Sequence, residues 1–129
     1  MAWYLDTSAF LKLVVDEHAS AAMRTWIATN PDVITCDLLR TEALRATRRL
    51  TPETVERARE ALAKIAIGRV TIDCFERAGE LDPGLLRSLD AVHLAWALAL
   101  GDDLEGIVTY DERLASAARN YGVRVLAPA

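Results

Sequence analysis

A chain of 129 residues that is 52% hydrophobic has one domain's length, and can remove roughly two thirds of its unfolded surface from water without disulfide or metal staples. No uncharged apolar run approaches the ~20 residues of a membrane span, and Asp6 interrupts the N-terminal apolar run with no basic segment before it, so neither a spanning helix nor a signal peptide is expected. The net charge of −4 at pH 7 argues against binding nucleic acid through overall positive potential, though not against a local basic strip. Cys36 and Cys74 lack CxxC spacing and a histidine cluster, which predicts reduced, buried thiols in a cytoplasmic protein rather than a disulfide or a zinc site.

In chain order, Trp3-Tyr4-Leu5 reads as a short buried strand stopped by Asp6, with Thr7 and Ser8 opening an apolar helix that runs to Val15. Asp16-Glu17-His18 is a polar break, after which Ala19, Ala22, Met23, Trp26 and Ile27 recur at helical spacing. Asn30-Pro31-Asp32 ends that helix, and Val33 to Cys36 is a second strand. A helix from Asp37 to Leu50 follows at once, with Leu39, Ala43, Ala46 and Leu50 as its core stripe and Glu42, Arg45 and Arg49 along one border. Thr51 and Pro52 start another helix, whose narrow apolar seam of Val55, Ala58, Leu62 and Ile65 suits helix-on-helix packing within or between chains. Gly68 stops it, Val70-Thr71-Ile72 is read as a third strand, and Cys74 to Leu81 as a short helix before the break at Asp82-Pro83-Gly84. The segment from Leu85 continues into Ala91 to Leu100, where only His93 is polar, so this helix must be covered on more than one side. Gly106 to Thr109 is a fourth strand, Asp111 to Arg119 a helix and Val123 to Leu126 a last strand. No repeat, low-complexity tract or linker divides residues 1–129, which form a single domain.

Strands alternating with helices imply right-handed crossovers and a mainly parallel central sheet covered on both faces, a three-layer α/β/α sandwich. In such sheets every crossover helix starts at the carboxyl edge of the strands, where ligands bind. Asp6 ends the first strand, Glu42 lies about two turns into the helix after the second, Asp90 opens the helix leading to the fourth, and Asp111 follows the fourth. All four acids belong to one rim, and a switch point beside the first strand would bring Asp6, Asp90 and Asp111 together. Taken singly, the three aspartates read as helix caps worth ~1 kcal/mol apiece, and Glu42 as a surface charge. Together they repel unless cations neutralise them, and an oxygen-only set suits Mg²⁺, with Mn²⁺ as a substitute. Such ions activate water and offset charge building on a phosphate.

Tyr4-Leu5-Asp6-Thr7-Ser8-Ala9, Glu42 in the second crossover, Leu86-Arg87-Ser88-Leu89-Asp90-Ala91-Val92-His93-Leu94-Ala95 and Val108-Thr109-Tyr110-Asp111-Glu112-Arg113-Leu114 together resemble the PIN domain, specifically the VapC-type toxins of toxin–antitoxin pairs. The likeness covers essentially the whole chain, and its specific parts are the Ser88 to Ala95 block followed by the Thr109-x-Asp111 block. It implies a Mg²⁺-dependent endoribonuclease, the toxin of a type II pair, dimeric and restrained by a small antitoxin protein. It also implies Asp6 and Asp90 as the leading metal ligands, Asp111 as a third, Glu42 as a fourth or a water-orienting residue, and Ser8 and Thr109 as supporting oxygens. None of the acidic positions departs from the pattern.

Other chemistries fit less well. His18 and His93 stand beside no nucleophile, and His93 on its apolar helix reads as a packing or hydrogen-bonding residue, which disfavours a metal-free histidine ribonuclease. A different metal-dependent phosphohydrolase, of the haloacid-dehalogenase type, needs a second Asp two residues after Asp6, where this chain has Ser8. A phosphoacceptor receiver needs paired acids at the first strand and a Lys near the last. A catalytically idle binding module with the same fold remains as an alternative. Arg45 and Arg49 share a helix border with Glu42, Arg49 lying two turns or ~10 Å along, a spacing suited to a second RNA phosphate; the competing reading pairs them with Glu53. The nearly all-apolar helix and the narrow seam also predict a homodimer.

Overall fold

In the computed structural model, which describes residues 1–129, strand β1 (Ala2–Leu5) sends alternate side chains into two cores. Leu5 packs with Ala9, Met23 and Val108, with Trp3 against them, whereas Tyr4 packs with Leu94, Ile107 and Leu114. A strand buried on both sides requires helices on both faces of its sheet. The chain supplies them as α1 (Thr7–Val14), α2 (Ser20–Thr29), β2 (Val33–Cys36), α3 (Leu38–Arg48), α4 (Pro52–Leu62), β3 (Ala66–Gly68), α5 (Ile72–Glu80), α6 (Ser88–Leu98), β4 (Leu104–Val108), α7 (Glu112–Asn120) and β5 (Val125–Leu126). Helices α1 to α4 pack among themselves on one face, and α5, α6 and α7 pack together on the other. This is the three-layer sandwich expected. All pairings are parallel and the strand order is β3-β2-β1-β4-β5. The chain therefore builds outward from β1 to β3, then returns to the other side of β1, and the switch point lies between β1 and β4.

Four sequence readings need correction. The third strand is Ala66–Gly68, not Val70 to Ile72: the Thr71 hydroxyl accepts the Cys74 N–H at 3.2 Å and caps α5, so Ile72 is helical and 80% exposed. Gly68 ends that strand rather than a helix, and a Cβ there would lie 2.3 Å from the Trp96 ring. Helix α3 stops at Arg48, so Leu50 lies past it and is 52% exposed, while Thr47 completes the buried stripe with its hydroxyl bonded to the Ala43 carbonyl at 2.8 Å. The helix carrying His93 starts at Ser88 and leaves Leu85 outside.

The apolar surfaces behind the dimer expectation are largely covered within the chain, with Val55 and Ile65 of the seam covered only in part. Helix α4 buries Thr54, Ala58 and Leu62 against α1 and α3, and α6 is enclosed by α5, α7 and the sheet. Cys36 and Cys74 are free and buried, and no helix is long and apolar enough to cross a membrane.

Candidate active site

Asp6 leaves β1 at the carboxyl edge and caps α1. Its Oδ1 accepts the Ala9 N–H at 3.0 Å and the Ser8 hydroxyl at 2.7 Å, and its Oδ2 accepts the Thr109 hydroxyl at 2.5 Å. The same two hydroxyls hold the loop after β4: Thr109 Oγ1 accepts the Asp111 N–H at 3.0 Å within that loop, and Ser8 Oγ accepts the Tyr110 N–H at 2.8 Å across the switch point. Ser8 and Thr109 thus clamp the loop after β1 to the loop after β4 around a buried carboxylate. Burial raises the Asp6 pKa, opposed by the hydrogen bonds from Thr109, Ser8 and Ala9.

Asp111 caps α7, its Oδ1 accepting the N–H groups of Arg113 and Leu114 at 2.9 and 3.0 Å, which leaves Oδ2 for the Arg87 Nη2 at 2.8 Å. Asp90 is no cap. It lies in the first turn of α6, whose N-terminus has no side-chain cap, and its Oδ2 accepts from Arg87 Nε at 3.0 Å. Burial raises the Asp90 pKa, the Arg87 hydrogen bond opposes this, and the Asp111 charge adds to the rise. The capping reading therefore holds for Asp6 and Asp111 and fails for Asp90.

Glu42, a little over one turn into α3, is held from below. Its Oε1 accepts the Thr7 hydroxyl and the His93 Nε2–H, both at 2.6 Å, and Oε2 takes no hydrogen bond. His93 Nδ1 lies 2.6 Å from the Tyr4 hydroxyl, which donates its single hydrogen to Cys36 Sγ at 3.2 Å. An imidazolium, with hydrogen on both ring nitrogens, satisfies this arrangement. Burial alone would lower its pKa, but the neighbouring Cys36 sulfur and the hydrogen bond to Glu42 with its charge raise it to about 10. Burial likewise would raise Glu42, yet the His93 and Thr7 hydrogen bonds and the His93 charge outweigh it and hold the carboxyl below its usual range.

The sequence marked His93 as a hydrogen-bonding residue without showing its partner, 51 positions away. Arg87 was not singled out at all, although its i, i+3 spacing to Asp90 is the signal that could have found it.

Glu42, Arg87, Ser88, Leu89 and Asp90 line a cleft of about 250 Å³. A larger hollow of about 560 Å³ lies among Met1, Pro31, Lys64 and Asp103, away from these residues. The four acids share one rim but are not drawn to one point. As the side chains stand, no three Asp, Glu, His or Cys groups are close enough to hold a metal ion, because Asp6 turns to its three donors and Arg87 stands between Asp90 and Asp111. The donor chemistry does fit a hard divalent cation: the acids offer only oxygen, and a cationic group already bridges two of them. Arg45 and Arg49 are exposed on α3 and its C-cap and pair with no acid, Glu53 included.

The family model of the PIN domain matches residues 3–120. The chain belongs to the PIN-domain family. Ribonuclease VapC46 of Mycobacterium tuberculosis is 41% identical to this PIN domain over 127 residues, 98% of each chain. Ribonuclease VapC47 of the same species is 38% identical over 130 residues, covering 97% of this chain and 96% of its own. These relatives make this PIN domain one of the VapC type. Among solved structures, the sarcin–ricin-loop-cleaving toxin VapC20 of M. tuberculosis superposes with a TM-score of 0.74 at 20% identity, over 90% of this chain and 95% of that one. A toxin–antitoxin complex from Klebsiella pneumoniae gives a TM-score of 0.74 at 19% identity, over 99% and 98%. At these identities the PIN domain shares with them its fold.

Proposed function

We propose that this PIN domain is a divalent-metal-dependent endoribonuclease, the toxin of a toxin–antitoxin pair. The observation that carries the reading is the gathering of Asp6, Glu42, Asp90 and Asp111 on one rim at the β1/β4 switch point, in a chain whose relatives are named ribonucleases. Asp6, Asp90 and Asp111 would hold Mg²⁺, and Mn²⁺ would substitute. When bound, such an ion supplies the Lewis acidity that activates water and offsets charge on the phosphate.

The chain's own groups do the rest. Thr109 and Ser8 fix the Asp6 carboxylate, while Asp90 in the first turn of α6 and Asp111 at the start of α7 lie on the same rim, joined by Arg87. Glu42, kept ionised by His93 and Thr7, orients the attacking water and takes its proton at Oε2, the oxygen without a hydrogen bond. In-line attack then leaves 5′-phosphate and 3′-hydroxyl ends, and the ribose 2′-hydroxyl is not the nucleophile. Arg45 and Arg49 offer charge to neighbouring phosphates.

The toxin–antitoxin complex among the structural neighbours supports a small antitoxin as partner, and the unpaired thiols fit a cytoplasmic setting. A homodimer, if formed through α5, would cover Ile72 and Phe75, 80% and 55% exposed; light scattering of a Phe75→Asp variant at monomer mass beside a dimeric parent is the outcome expected.

The test of the activity is RNA cleavage by the partner-free protein with Mg²⁺, with Mn²⁺ and with EDTA. Cleavage that persists in EDTA, or products ending in 2′,3′-cyclic phosphate, would overturn the mechanism. No cleavage with either ion would favour the idle binding module.

A further inference from the structure

Arg87 is the one basic side chain in the 250 Å³ cleft, and it is engaged in an unusual way. Its guanidinium gives one arm to each of two acids from different elements, Nε to Asp90 Oδ2 at 3.0 Å and Nη2 to Asp111 Oδ2 at 2.8 Å. The two carboxylates are largely shielded, 14% and 24% exposed, whereas the arginine side chain is 61% exposed and has no other hydrogen-bond partner. Planarity matters here: a guanidinium presents its donors in a fixed fork and so sets the spacing of the oxygens it joins. Two acids that would otherwise repel are held together by a cation anchored only by them, on a stem free to swing into solvent.

We propose that Arg87 is the built-in counter-cation of this active site. It holds Asp90 and Asp111 while the divalent ion is away, and it must release one or both carboxylates for the ion to be admitted, so metal loading is a competition with the chain's own arginine. The inference rests on the metal-dependent ribonuclease reading above. Two consequences follow from charge alone. The metal-free rim stays folded because Arg87 relieves its repulsion, and the released guanidinium becomes the only cationic side chain lining the cleft, in the fork geometry that suits a phosphate. Arg87 is then a positioning residue for RNA once the metal has displaced it.

The measurement is Mn²⁺ binding by calorimetry, without RNA, on the partner-free parent, Arg87→Gln and Arg87→Lys, together with melting temperatures in EDTA. Arg87→Gln is expected to bind Mn²⁺ roughly fivefold more tightly, the scale of losing a pair of partly exposed ion pairs. Its melting point in EDTA should fall below the parent's, and added Mn²⁺ should close the gap. Arg87→Lys, whose ammonium cannot bridge both acids, should lie between, and it carries the same prediction at smaller amplitude should the Gln variant fail to fold. A parent that binds Mn²⁺ and cleaves RNA beside an Arg87→Gln variant of equal or weaker Mn²⁺ affinity would defeat the role of Arg87 alone. Folded parent and variants that all fail to bind Mn²⁺ would defeat the metal reading, and this inference with it.

Discussion

Glu42 stays ionised in a half-buried position because a charged His93 lies beneath it, and His93 is held charged by Glu42 and the neighbouring Cys36. The pair has a definite pH signature. His93 titrates at about 10 in the folded protein against ~6.5 unfolded, so its contribution is complete below ~6.5 and is lost as pH rises toward 10. Glu42 is held below its usual 4.5, so its contribution is present above that value and is lost as pH falls through its folded pKa. His93→Gln should therefore cost about 2 kcal/mol near pH 6, with the loss shrinking toward pH 10. Urea midpoints of parent and variant across that range are the check, and a pH-independent gap would mean a neutral His93. Asp6 offers a second separation. Asp6→Asn keeps the cap oxygen and removes a charge that burial disfavours, so cleavage should vanish while stability moves by less than ~1 kcal/mol. Asp6→Ala, by contrast, strands the Thr109 and Ser8 hydroxyls and should cost ~2 kcal/mol. Thermal melts in EDTA separate the two, and a collapse of Asp6→Asn would make the residue chiefly structural.

At the scale of elements, β4 is where fold and site depend on each other. It pairs with both β1 and β5, and its end delivers Thr109 and Asp111. At Gly106 a Cβ would meet the Trp3 ring at 2.5 Å and the Arg124 carbonyl oxygen at 2.6 Å, and the second of these is backbone that cannot step aside. Gly106→Ala should thus lose about 2 kcal/mol, measured by urea denaturation; a neutral result would show that β5 moves freely away. The misread third strand teaches the complementary lesson. An edge strand pairs on one side only and needs little pattern, so Ala66-Ile67-Gly68 carries almost none, whereas the β-branched run of Val70-Thr71-Ile72 is overruled by a capping hydroxyl at Thr71.

Over the whole molecule an excess of negative charge coexists with a basic strip. Arg40, Arg45, Arg48 and Arg49 are exposed along α3 and its end, and none forms an ion pair. Arg49→Glu should weaken RNA binding and lower its logarithmic salt slope by roughly one, with Mn²⁺ affinity unchanged. Unaltered affinity and slope would leave the strip a solvated helix border.

What the sequence by itself determined was direction. Period-two and helical spacings assigned most elements, their alternation dictated a parallel sheet, and right-handed crossovers then brought Asp6, Glu42, Asp90 and Asp111 to one edge. What only the tertiary structure decided was partnership. That β4 lies against β1 joins Thr109 to Asp6 across 103 positions. That α6 crosses the same face as Tyr4 seats His93 under Glu42, and that α6 and α7 start side by side lets one arginine bridge Asp90 and Asp111. The same packing largely covered the α4 seam and the α6 surface that had suggested a dimer. The physical reason is that a periodicity records which way a side chain faces relative to its own backbone. Which group it meets there is settled by how the separate elements fill the space around a common core.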